Sequence, residues 1–263
     1  SKLLFYLQQN ITLRSVKPIL VIDSDWDYAF DKINNCKKKN IRLIEFGAGR
    51  NLAQNIFLSL KFENLHQTVV DINRMVNSRL FFQAYNEISL LLGKEVDLEI
   101  KNMDELLVKL RISYESPIDI ANYKPETLFD ICLSKDTIEH IPTKKIDLIL
   151  KNISKILHKE GLLISCVDYS DHYSHTSMNL SKINFLKYNR FIWSFLNPPN
   201  HYQNRIRHSD YIKLLNKNNF ITDEEKLIVH ESLDIIPTKV YLNYNKSDLL
   251  ILRSKILSIN TTN

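Results

Sequence analysis

Four glycines in 263 residues make their placement informative, and Gly47 and Gly49 stand together in Glu45-Phe-Gly-Ala-Gly49, at the end of an apolar run from Ile41. Backbone that turns tightly or admits a ligand closely needs positions without side chains. With Ile41 to Phe46 as a buried strand and Leu52 to Phe62 as a helix, the turn between them points the first helical amides at whatever binds there. Asp71 ends the next apolar run, His66-Gln-Thr-Val-Val-Asp71. One strand-helix-strand unit returns it to the same sheet edge, where a carboxylate can accept both hydroxyls of a ribose. Further along, Asp168-Tyr-Ser-Asp-His-Tyr-Ser-His175 groups two acids with two histidines. Arg190, Arg205 and Arg207 can clamp a phosphate or carboxylate, or hold a lid through salt bridges.

The elements that must position these residues alternate. A long amphipathic helix is expected from Arg74 to Leu92, ended by Gly93. Residues 94–111 are charged and ambiguous between helix and loop. Strands are expected at Ile112 to Ser116, Phe129 to Ser134 and Gly161 to Asp168. The helix from Thr143 to His158 carries apolar positions 146, 149, 150, 153 and 157 on one face. This predicts an α/β fold with a doubly wound, mostly parallel sheet and ligands at the strand carboxyl ends. Residues 169–208, rich in Tyr, His, Asn and Pro, interrupt the alternation and read as a substrate-side insertion. A helix at Ser209 to Asn218, with Ser209 as N-cap, and an antiparallel strand pair at Phe220 to His230 and Leu249 to Ile259 close the chain. Residues 1–40 read as a helical appendage to a domain spanning 41–263, with Leu3, Leu4, Phe5 and Leu7 among its apolar positions.

Composition bounds the rest. With 44% hydrophobic and 25% charged residues the chain is an ordinary globular one. Three cysteines without short-range spacing suggest free thiols and a reducing, cytoplasmic setting. No apolar run approaches the roughly 20 residues of a membrane span. A net charge of +5 suits an anionic or membrane-linked acceptor, at the inner membrane face for instance, and equally a solvated basic face. Aromatics are not interleaved with a basic stripe, which argues against nucleic acid. Oligomeric state is open.

Glu45-Phe-Gly-Ala-Gly49, Asp71, Phe129-Asp-Ile-Cys-Leu-Ser134, Thr137-Ile-Glu-His-Ile-Pro142 and Lys159-Glu-Gly161, in that order, resemble a class I S-adenosylmethionine-dependent methyltransferase. The resemblance implies a seven-stranded Rossmann-like sheet with an antiparallel C-terminal strand. It implies that Glu45 and the backbone of Gly47, Ala48 and Gly49 hold the methionine part of the cofactor. Asp71 would hold the ribose with Ile72 beside it, Asp119 would reach the adenine amino group, and Ser134 would line the floor. The sequence departs from the family pattern at Asn51, which stands where a third small residue is usual. Asp119 could also be a local cap. The segments 168–175, 188–190 and 203–207 are similar to a bacterial subgroup associated with surface polysaccharide (O-antigen, lipopolysaccharide) biosynthesis, implying O-methylation of a sugar hydroxyl.

Transfer of a methyl group to an alcohol requires a proton to leave, and a histidine fixed by a carboxylate is the usual acceptor. His172 is the expected base, with Asp168 and Asp171 competing to orient it and His140 at the site edge. Tyr169, His175, Arg190, Asn204, Arg205 and Arg207 are the expected acceptor contacts, with Tyr173, Tyr188, Trp193 and Tyr202 either stacking on sugar faces or packing under the insertion. Asp136, Glu139 and His140 form a cluster similar to the metal site of some methyltransferases. With His172 or His175 as a fourth ligand it could hold a divalent cation, but the expectation is no metal, since no cysteine or second nearby histidine completes the set. Other small-molecule acceptors, quinone-like or lipid-linked, and a non-catalytic binding protein of the same fold are the competing readings.

Overall fold

The computed structural model describes residues 19–177 and 179–262. Leu3, Leu4, Phe5 and Leu7 lie outside them. Seven strands form one sheet in the order β3-β2-β1-β4-β5-β7-β6: β1 Ile41–Phe46, β2 Leu65–Val70, β3 Ile112–Glu115, β4 Phe129–Lys135, β5 Leu157–Asp168, β6 Phe220–Val229 and β7 Ile251–Asn260. β1 to β5 run parallel, and β7 is antiparallel to both β5 and β6. The expected closing pair is present, but β7 inserts between β5 and β6 and leaves β6 at the edge.

The apolar run of β1 is continuous because helices cover both sheet faces. Ile41 and Leu43 enter one core with Trp26, Ile56 and Phe57, while Ile44 and Phe46 enter the other with Ile146, Leu150 and Ile153. The first core is covered by α1 (Ser24–Asn34), α2 (Ala53–Lys61), α3 (Ser78–Leu91) and α4 (Met103–Lys109). The second is covered by α5 (Thr143–Ile156) and α7 (His208–Lys217), with Tyr211 and Leu215 of α7 fully buried. Each such side chain contributes on the order of 2 kcal/mol through the area it removes from water. α1, read from sequence as part of an appendage, buries Trp26, Tyr28, Ala29 and Ile33 in the main core.

Local chemistry moved several boundaries. α3 begins at Ser78 rather than near Arg74 because the Asn77 side chain accepts the Leu80 N–H at 3.1 Å. The ambiguous 94–111 stretch yields α4, capped by Asn102. Ser209 is not a helix cap: α7 starts at His208, and the Ser209 hydroxyl donates to Asp248 at 2.7 Å. Within the insertion, α6 (Arg190–Leu196) and short 3₁₀ turns pack Phe185, Leu186 and Trp193 against Tyr241, Leu249 and Leu252, near α8 (Lys246–Leu250), as a small third core.

Candidate active site

The carboxyl ends of β1, β2, β4 and β5 meet at the glycine turn. Gly47 and Gly49 hold φ of +74° and +80°, which side chains rarely adopt. A Cβ on Gly47 would stand 2.5 Å from the Thr137 methyl, whereas a Cβ on Gly49 would enter open space. Leu52, at φ 49°, completes the turn into α2, and the Asn51 carboxamide accepts the Ala53 N–H at 3.2 Å. Thr137 donates to the Gly47 carbonyl at 3.1 Å and ties the turn to the loop after β4. Ala48 packs partly on the first core.

Glu45 is buried at the end of β1, and Asn55 of α2 donates to it at 2.7 Å. Burial pushes its carboxyl up to about 7, opposed by that hydrogen bond and reinforced by the charge of Asp71. Asp71 follows β2. Burial raises its pKa too, while Tyr114, donating at 2.9 Å, and the Gly47 amide pull it down. Ile72 beside it is exposed. The fully buried Ser134 hydroxyl has no hydrogen-bond partner among the described residues, as a group lining a ligand floor would not. Asp119 caps a short 3₁₀ turn through the Ala121 N–H and pairs with Lys145 at 2.6 Å, which lowers its pKa. The local-cap alternative describes its contacts. An acid at β1, one at β2, positive-φ glycines and an unpartnered floor hydroxyl together fit the methionine and ribose ends of S-adenosylmethionine.

Across the edge lies a polar corner. Asp168 ends β5, with His172 Nε2 at 3.6 Å and His175 Nε2 at 3.8 Å from its Oδ2. Ser170 Oγ donates to its Oδ1 at 2.6 Å. Burial alone would raise Asp168, but His172 and Ser170 outweigh it and hold it at about 2. Asp168, not Asp171, is therefore the carboxylate at the His172 ring. Asp171 is fully buried, caps the 172–175 turn through the Tyr173 N–H and accepts from Asn184. The His140 and His172 rings lie 5.0 Å apart, and Glu139 completes a trio with them. Asp136 turns away, paired with Lys135 at 2.7 Å and Arg253 at 2.6 Å. Arg253 and Lys255 also hold the buried Asp25 of α1, whose pKa falls despite its burial. That network depends on β7 meeting α1, and no sequence spacing announces it.

Several expected acceptor contacts make hydrogen bonds within the protein, Asn204 and Arg205 while also lining a groove. Arg207 is fully buried and donates to the carbonyls of Tyr169, Asp248, Leu249 and Ile251. Arg205 donates to the Phe185 and Tyr188 carbonyls and stacks over Trp193 and Tyr241. Asn204 holds the carbonyls of Ile138 and Ile141 at 2.7 and 2.8 Å. Tyr169 is buried, with its hydroxyl against His208 and Ser254. These four residues fix the insertion, because a buried cation or amide in a loop finds unpaired carbonyls before it finds a ligand. Arg190 remains exposed on the rim of a groove of about 1000 Å³ that Tyr188, Trp193, Tyr202, Lys213 and Tyr241 also line. Gln203, which the sequence reading left without a role, accepts the His172 N–H at 3.2 Å and donates to the Ser170 carbonyl.

Comparison with solved structures decides the fold. Magnesium protoporphyrin IX methyltransferase from Synechocystis, determined with bound SAH, superposes with a TM-score of 0.52 at 11% identity, covering 90% of this chain and 81% of that one. The chain has the methyltransferase fold. A SAM-dependent methyltransferase from Methanosarcina mazei gives 0.50 at 14% identity, over 88% and 98% of the two chains. No family model matches the sequence. No curated protein matches it either. Identities this low leave the acceptor to be argued from the chain's own residues. No helix among the described residues is long and apolar enough to cross a membrane.

Proposed function

We propose that this protein is an S-adenosylmethionine-dependent methyltransferase that O-methylates a sugar hydroxyl of a surface polysaccharide or its precursor. The observation that carries the cofactor reading is one shared edge: Glu45, the positive-φ pair Gly47 and Gly49, and Asp71 converge at the carboxyl ends of β1 and β2, in a chain whose fold is similar to that of a methyltransferase determined with bound SAH. When bound, the cofactor supplies an electrophilic methyl group. Glu45 and the Gly47–Gly49 amides would hold its methionine end, and Asp71 its ribose. Thr137 keeps the turn in register.

Support for an alcohol acceptor is the Asp168–His172 corner. A hydroxyl must shed a proton as its oxygen attacks, and a histidine whose tautomer a carboxylate fixes is suited to that task. Support for a sugar is the adjoining groove, whose partly exposed Tyr188 and Tyr202 offer faces for stacking and whose Arg190 and Lys213 offer charge to an anionic acceptor. The 202–204 segment borders both places: the Tyr202 carbonyl meets His140 and the Gln203 side chain meets His172.

The test is calorimetry with S-adenosylhomocysteine followed by methyl transfer to a panel of glycans, nucleotide sugars and phenols. Binding with turnover on sugars is expected. Turnover on phenols alone would replace the acceptor class, and no cofactor binding would favour a non-catalytic role.

A further inference from the structure

We propose that Glu139, His140 and His172 form a binding site for a divalent transition-metal ion at the acceptor side of the cofactor cradle. Their donor atoms lie within 4.8 Å of one another. Ligands on opposite sides of one ion, at about 2.1 Å each, stand about 4.2 Å apart, so small side-chain movements suffice to close the set. The three come from two loops, after β4 and after β5, so the ion would cross-link the two strand ends that frame the acceptor.

Each ligand shows a separate sign of the site. Glu139 is 2% exposed, and neither of its carboxylate oxygens has a hydrogen-bond partner among the described residues. A buried carboxylate left unpaired is costly, and a cation is the group that offsets it. His140 has Nδ1 at 2.9 Å from the Tyr202 carbonyl. A carbonyl only accepts, so Nδ1 carries the proton and Nε2 keeps its lone pair. At His172, Nε2 is buried with no hydrogen-bond partner among the described residues, and the carboxylate oxygen Asp168 Oδ2 stands 3.6 Å from it. A carbonyl partner such as that of His140 orients a metal-binding histidine.

One carboxylate and two imidazoles suit Mn²⁺, Fe²⁺, Co²⁺, Ni²⁺ or Zn²⁺ rather than Mg²⁺ or Ca²⁺, which prefer oxygen throughout. Three protein ligands leave positions open for an acceptor hydroxyl, whose proton would leave to solvent more readily once its oxygen is bound. In that state His172 acts as a ligand, which refines the part it plays in the proposed function. The purpose of the ion rests on the methyltransferase reading; its binding does not.

The full chain, stripped of metal with a chelator and dialysed, is titrated with Co²⁺ by absorbance and with Zn²⁺ by calorimetry. One ion per chain is expected, with affinity at least tenfold weaker in Glu139→Gln and in His140→Ala, whose ring is partly exposed and whose loss the fold should tolerate. Circular dichroism checks that both variants are folded. Absence of saturable binding, or equal affinity in folded variants, would overturn the site. The same samples are titrated with S-adenosylhomocysteine. An ion bound without the cofactor keeps the site and sinks the methyltransferase reading, and the cofactor bound without an ion does the reverse.

Discussion

His172 Nε2 faces Asp168 Oδ2 at 3.6 Å, with three residues of chain folded between strand end and 3₁₀ turn to bring them together. This pair sets a first prediction. His172→Ala should lower turnover at least about a hundredfold, the usual scale for removing a group that handles the proton, while S-adenosylhomocysteine affinity changes less than about twofold. Unchanged turnover would remove His172 from the reaction.

Asp168 also predicts an acid limb in stability. Its folded pKa of about 2 lies below the ordinary 3.8, so the native state favours the ionised form. The contribution is complete above about pH 4 and is lost as pH falls through about 2, on the order of 2 kcal/mol in all. Asp168→Asn should flatten that limb in denaturant titrations taken from pH 5 downward. An identical limb in the variant would mean that other carboxylates carry it.

Glu45 runs the other way. Its folded value of about 7 stands above the ordinary 4.5, so the native state holds the proton more tightly than the unfolded chain. Stability of the ligand-free protein should therefore fall as pH rises from about 4.5 through 7, by on the order of 3 kcal/mol. Glu45→Gln should remove this slope and stabilise the protein at pH 8 while weakening cofactor binding. Thermal melts across that range, paired with calorimetry, read both effects, and a pH-independent melt in the unaltered protein would refute the argument.

The two glycines of the turn should behave differently. Gly47→Ala meets Thr137 at 2.5 Å as well as an unfavourable φ, whereas Gly49→Ala meets only the backbone strain. Gly47→Ala should cost about 2 to 4 kcal/mol and Gly49→Ala about 1 to 2. Adding Thr137→Gly to Gly47→Ala should relieve the steric part and leave the strain. Equal melting temperatures for the two single variants would contradict the contact.

Arg207 and Arg190 separate structure from recognition. Arg207→Met removes a fully buried guanidinium from four backbone carbonyls and should destabilise by about 3 kcal/mol or more. Arg190→Ala, on the exposed groove rim, should leave the melting temperature unchanged within about a degree and raise the KM for an anionic acceptor. A KM shift without loss of stability in Arg207→Met would reverse the two assignments.

The alternation of strands and helices, the glycine turn and the acids at Glu45 and Asp71 were legible in the chain because each is local: a period, a φ requirement, or the length of one strand-helix-strand unit. Two-sided burial writes an apolar run such as Ile41–Phe46 directly into the sequence. Sequence spacing could not tell which polar groups of the insertion face a ligand. Arg205, Arg207 and Asn204 all had the chemistry of an acceptor clamp, and all three donate to backbone carbonyls, but folding buried Arg207 completely while Arg205 and Asn204 still line the groove. The same holds at the corner beside the cradle. Asp136, Glu139 and His140 are neighbours in the chain, but Arg253 arrives from β7 to claim Asp136, and the loop after β5 brings His172 to the other two. The sequence by itself determined the fold and the glycine turn; tertiary packing decided which charges were neutralised by the protein and which carboxylate, Glu139, was left without a hydrogen-bond partner among the described residues.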